Sequence, residues 1–179
     1  MTDRPAGSSV EQVAGLVGAT ATVLRAELLP LENSALTWHP SEGEWCICEV
    51  LGHMIEAERR GFAGRIERIL AGEKLQDWNQ GEVAAQRRDC ERDGHDLLEE
   101  FEAIRRASVR LIGRLTPEQL PLSGSHPTVG ELRIVELLHE WVHHDRNHVK
   151  QVLTTMQAFV WPHMGNAQRF WLASRGGDQ

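Results

Sequence analysis

No apolar run in this 179-residue chain approaches the roughly 20 residues that a membrane-spanning helix needs. The opening MTDRPAGSSV lacks the basic-then-apolar order of a secretory signal. A cytoplasmic protein without a membrane partner is therefore expected. Positive charge is in deficit, with 19 Lys and Arg against 26 Asp and Glu and a net charge of -7. A phosphate backbone is neutralised by a patch of the opposite sign, so nucleic acid is not an expected partner. Cysteine is scarce. Its odd count of three, with Cys46 and Cys48 in a C-x-C spacing, falls short of a four-cysteine zinc site and argues against a disulfide scaffold. The cysteines read as reduced, mostly buried thiols. Strand signals are nearly absent too: there is no sustained alternation and no Asn-Gly or Asp-Gly turn between β-branched runs.

What the chain does contain is helical periodicity. Apolar residues recur at threes and fours from Val10 to about Leu31, and again from Trp45 to about Ala71, the latter opened by Ser41-Glu-Gly-Glu44 with the spacing of a capping box. A third run extends from Glu82 to Leu115, with the helix-weakening pair Asp93-Gly94 inside it. A fourth spans about Glu131 to Met156, after a Pro-, Ser- and Gly-containing loop from Pro121 to Gly130. Four long helices in one domain predict an all-α four-helix bundle over residues 1–157. Residues 158–179, with Trp161, Phe170 and Trp171, form an aromatic extension expected to pack on the bundle or on a partner.

Four of the nine histidines fall in "HEWVHHDRNH", residues His139 to His148. At about 100° per residue, His144 lies about 40° from His148, and Trp141, Leu137, Ile134 and Val152 lie within roughly 40° of it. His139 and His143 come out about 140° to 180° away and read as solvated. The inward pair His144/His148 has the i, i+4 spacing that lets two imidazoles reach one ion. A third ligand has to come from another helix; His53, at the rim of the second helix's apolar arc, is chosen over His95, which sits in a charged stretch. Three imidazoles and an open position describe a catalytic-type site, and a bundle core is a usual place for one. The alternative is that these are hydrogen-bonded core histidines. Glu58, Arg65 and Asp145 on the inner faces read either as partners that orient imidazoles or as a buried ion pair. Glu49, one turn before His53, reads as a general base or simply as a favourable acid in a helix's first turn.

The stretches "EGEWCICEVLGHMIEAERRGFAGRIERIL" and "ELRIVELLHEWVHHDRNHVKQV", the second with an H-D-R-N-H-x-x-Q core, resemble the paired signatures of the DinB-like (YfiT-type) four-helix-bundle superfamily over about residues 10 to 157. The resemblance implies an up-down-down-up bundle, often dimeric, in which His53, His144 and His148 bind a divalent ion, with zinc or nickel foremost. Cys46 stands where relatives often carry a helix-capping Ser, and nothing in the family transfers onto His139 or His143. Some members resemble thiol S-transferases or isomerases that use a low-molecular-weight thiol.

Three functional expectations follow. The first is a metal-dependent enzyme of thiol S-transferase or hydrolase type acting on a small molecule, with Glu49 or Asp145 managing protons and Trp45 and Trp141 walling the pocket. The second is a metal-binding or stress-response bundle without turnover. The third is a structural dimeric interaction module whose inner histidines are core residues; Trp45 and Trp141 then read as core aromatics.

Overall fold

The computed structural model describes residues 7–175. Its long elements are α1 (Val10–Leu28), α2 (Asn33–Leu36), α3 (Ile47–Glu56), a π-helical turn (Ala57–Phe62), α4 (Ala63–Leu70), α5 (Gln80–Arg87), α6 (Gly94–Ile112) and α7 (Ile134–Val160). A 3-10 segment (Trp161–Ala167) and α8 (Gln168–Arg175) follow. α1 starts where Ser9 accepts the Gln12 N–H at 3.2 Å and the Gln12 side chain returns to the Ser9 N–H at 2.9 Å, a complete capping box. α6 starts at Asp93, whose carboxylate takes the His95 N–H at 2.8 Å, so the weak Asp-Gly pair is a helix beginning.

Two apolar clusters fill the bundle, and their order along each helix gives the topology. One holds Leu24 and Leu28 of α1, Ile47 to Ile55 of α3, Leu97 to Phe101 of α6 and Val152 of α7. The other holds Val13 and Val17 of α1, Phe62 and Ile66 from the π turn and α4, Ile112 of α6 and Ile134 to Trp141 of α7. α1 and α7 run from the second cluster to the first, whereas α3–α4 and α6 run from the first to the second: up, down, down, up. Between the clusters every long helix contributes buried polar groups: Thr20, Glu58, Arg105 and Asp145 are each no more than 2 % exposed. Such a layer persists only if its members satisfy one another. Arg105 donates to both oxygens of Asp145, to Glu58 at 3.2 Å and to the Val17 carbonyl at 2.9 Å, while Thr20 donates to Asp145 at 2.8 Å.

Several expectations change. The third helical run divides into α5 and α6 at Arg88, which adopts a left-handed backbone (φ 51°) before a 3-10 turn, Asp89–Glu91. The second helix opens at Ile47, and its first turn is closed by Glu49, which accepts the Cys46 N–H at 2.9 Å, in place of the Ser41/Glu44 box. The loop before α7 contains a short antiparallel hairpin, β1 (Ser123–His126) and β2 (Gly130–Arg133), in which Gly130 has φ +81°. Glycine adopts that conformation at no steric cost. Its strands are four residues each, too short for alternation to register in sequence. The cysteines are not all reduced: Cys46 and Cys90 form a disulfide, and only Cys48 is a free, buried thiol. Cys46 and Cys90 are 44 residues apart, so C-x-C spacing could not reveal the pair. No helix among the described residues is long and apolar enough to cross a membrane. The aromatic extension follows α7 directly, and Phe170 and Trp171 are 81 % and 58 % exposed.

Candidate metal centre

His53 comes from the last turn of α3, and His144 and His148 come from successive turns of α7, which packs against it. Their ring nitrogens include a set in which one atom from each residue lies within 4.8 Å of the others. The ring centroids are 4.4 Å apart for His144 and His148, 4.6 Å for His53 and His148, and 5.2 Å for His53 and His144. His139 and His143 are exposed, as the facial arithmetic requires. His95 is not part of this group.

The rings are chemically prepared to donate lone pairs. Burial, reinforced by the neighbouring His148, pushes the His53 pKa down to about 4. Burial, then His148 and His53, pushes His144 down to about 3. His148 is also lowered by burial, against the opposing pull of Gln151 and Asp145. All three are therefore neutral near pH 7, the state that ligates metals. The Nε2 atoms of His53 and His144 face each other at 3.0 Å. Two such nitrogens share either one proton or a cation, and a tetrahedral ion with Zn–N bonds of about 2.05 Å would hold them about 3.3 Å apart. Nδ1 of both rings is buried without a hydrogen-bond partner among the described residues, so the protein does not consume their remaining capacity. His148 Nδ1 pairs with the Gln151 side-chain oxygen at 2.9 Å. A carbonyl oxygen only accepts, so the proton sits on Nδ1 and the Nε2 lone pair is free. The residues present fit a divalent ion. Gln151 was visible in the sequence only as the last letter of the H-x-x-Q pattern; its orienting role shows only in space.

A π turn shapes one wall. In a continuous α-helix, the nine residues from His53 to Phe62 would turn through about 180° and set the two on opposite faces. The wider turn at Ala57–Phe62 takes back part of that rotation, and the Phe62 ring packs on His144 at 5.1 Å. The exit from this turn depends on Gly64, where a Cβ would stand 2.0 Å from the Arg59 carbonyl oxygen. Trp45 packs on His53 at 5.2 Å, and Trp78, which sequence reasoning missed, stacks over it at 6.2 Å. Trp78 lies in a polar connection with no periodic signal. Trp141 is one step removed: it stacks on Phe62 at 5.0 Å and is 1 % exposed. A cleft of about 690 Å³, lined by Pro40, Trp45, His148, Gln151 and Thr155 among others, opens beside His148.

The two acidic candidates are engaged elsewhere. Asp145 gives both oxygens to Arg105 and Thr20, and Glu49 accepts the Cys46 N–H and lies 3.7 Å from His39. None of their hydrogen bonds among the described residues reaches the three imidazoles. Arg65 turns away to His126, with 2.9 Å between Nη2 and Nε2. Arg105, which the sequence did not single out, is the hub that fixes Asp145 one residue after His144. Burial pushes its other partner, Glu58, up to about 7 despite the Arg105 charge, which is shared with Asp145.

The fold is shared with solved proteins. YfiT from Bacillus subtilis, described as a probable metal-dependent hydrolase with an unusual four-helix bundle topology, superposes with a TM-score of 0.75 at 16% identity, covering 89% of this chain and 93% of that one. A mycothiol-dependent maleylpyruvate isomerase superposes with a TM-score of 0.63 at 13% identity, over 79% of this chain and 59% of the other. A search of curated protein sequences returns no match. The family model of the DinB superfamily matches residues 17–152, the span that carries the bundle and all three inward histidines, and the chain belongs to that superfamily.

Proposed function

We propose that the protein is a metal-dependent enzyme in which His53, His144 and His148 hold one divalent cation, zinc or nickel, and that it performs hydrolysis or thiol S-transfer on a small electrophile. The observation that carries this reading is the convergence of three neutral imidazoles, one buried and two half-buried, within 4.8 Å beside an open cleft. A divalent ion held there supplies Lewis acidity, which makes a water or a thiol available as a nucleophile near neutral pH. The chain's own residues position and shield. Gln151 holds the His148 tautomer, Trp45 and Trp78 screen His53 from water, and the cleft volume lies within the range of small-molecule sites. Proton transfer by Glu49 or Asp145 is not part of this reading, because none of their hydrogen bonds among the described residues reaches the three imidazoles. The two solved relatives, a probable metal-dependent hydrolase and a mycothiol-dependent isomerase, support the two reaction types.

The test uses protein purified without a polyhistidine tag. Stoichiometric metal is expected in the wild type and in His143→Ala, and its loss in His144→Ala. Absence of metal, together with unchanged melting of His53→Ala, would sink the site. Turnover is then assayed on chlorinated and epoxide electrophiles with several small thiols, with and without chelator. Metal without any chelator-sensitive turnover would favour a bundle whose ion only stabilises the fold.

A further inference from the structure

A second group of ligating side chains lies at the start of α3, outside the three-histidine site. His39, Cys46, Glu49 and Cys90 each offer one ligand atom, and these atoms lie within 4.8 Å of one another. Cys46 is the fully buried residue that precedes α3. Cys90 comes from the 3-10 turn between α5 and α6 and is half-buried, the less buried partner of the disulfide. The His39 ring is aimed at that sulfur. Its Nδ1 is 2.8 Å from the Glu44 carbonyl oxygen, which only accepts, so Nδ1 carries the proton. The Nε2 lone pair of the neutral ring then faces Cys90 Sγ at 3.4 Å. Glu49 Oε2 lies 3.7 Å from His39 Nδ1.

We infer that this cluster is a redox-gated metal site: when the Cys46–Cys90 bond is reduced, the two sulfurs, the His39 imidazole and the Glu49 carboxylate bind a thiophilic divalent cation such as Zn²⁺. Reduction consumes two molecules of a low-molecular-weight thiol, which supply two electrons and two protons to the S–S bond and leave as their own disulfide. Binding of the cation then releases the two thiol protons to solvent. The observed imidazole-to-sulfur distance suits this state, since Zn–S and Zn–N bonds of about 2.3 and 2.05 Å in a tetrahedron separate the two ligand atoms by about 3.5 Å. The sulfurs must part to about 3.7 Å. Cys90 sits on a short turn after a left-handed residue, outside the long helices, where such a shift need not disturb the bundle. Two thiolates, one imidazole and one carboxylate form a mixed set of the kind zinc accepts, unlike the all-imidazole set deeper in the bundle.

The experiment is cobalt titration of the full chain, untagged, in oxidised form and after reduction with a phosphine, which removes the disulfide without adding a competing thiol. The reduced protein is expected to show a sulfur-to-cobalt charge-transfer band, and the oxidised protein none; bound zinc rises by one equivalent per chain on reduction. The band should persist in His144→Ala, which disables the imidazole site alone, so failure of one site is distinguishable from failure of the other. His39→Ala, at an exposed position, should weaken cobalt binding on the order of tenfold or more. Reduced protein with its thiols confirmed free by titration but no sulfur-to-cobalt band would overturn the inference. So would full cobalt affinity in His39→Ala.

Discussion

Acidifying the metal-free protein should drain stability through His144 in a way that one substitution can isolate. The unfolded imidazole titrates near 6.5, whereas burial and the neighbouring rings hold the folded one down to about 3. As pH falls, the unfolded chain therefore takes up this proton first. The contribution is fully present above about 6.5 and is lost progressively as pH drops toward the folded value. At pH 5 the unfolded group lies about 1.5 units below its pKa while the folded group is still neutral, which amounts to about 2 kcal/mol. That is a sizeable share of a domain stability of roughly 5–15 kcal/mol. His53, lowered to about 4 by burial, acts in the same direction. Glu58 acts against both: raised to about 7, it binds its proton in the folded state first and adds stability as pH falls from about 7 toward its unfolded value near 4.5. The net curve of the wild type thus mixes opposing terms, and the informative quantity is a difference. Urea unfolding of chelator-treated wild type and His144→Gln at pH 7 and pH 5 should show the wild type losing about 2 kcal/mol more than the variant. Parallel stability curves for the two proteins would refute the claim that this ring is buried and neutral.

Three further outcomes follow from the same geometry. Gln151→Leu removes the partner that fixes the His148 tautomer and should lower metal affinity by about 10- to 100-fold in a competition titration while leaving the fold intact. Asp145→Ala leaves Arg105 buried without its main counter-charge and should cost about 3–5 kcal/mol in denaturant unfolding, whether or not metal is present. Gly52→Ala would place a Cβ 1.8 Å from Asp89 Oδ2, forcing the Arg87–Asp89 pair off α3, and should lower stability by about 1–3 kcal/mol in thermal melts.

The four helices were legible because each buries one face, and burial of one face writes a period of about 3.6 residues into the sequence. The facial split of the histidines follows from the same arithmetic, and His144, His148, His139 and His143 lie on the sides it assigned. What carried no periodic signal was missed: the hairpin of four-residue strands, Trp78 in a polar connection and the turn that brings Cys90 to Cys46. Glu49 was read as an acid of the site from its place one turn before His53, and Asp145 from its place on the inner face of the fourth helix. A shared inner face says little about which neighbouring helix a side chain meets. Asp145 consequently faces Arg105, on a helix whose register against α7 cannot be read from either helix alone.

The sequence by itself determined four long helical runs, their apolar faces and the sides of the last helix on which the histidines lie, since these are local properties of pattern and spacing. Only the tertiary structure decided that the three inward rings meet, that a π turn ending at Phe62 brings that ring onto His144, that Arg105 binds Asp145, and that Cys46 and Cys90 join. Those outcomes depend on axial register and rotation between helices, which are set by the packing of many side chains at once and are recorded in no single segment.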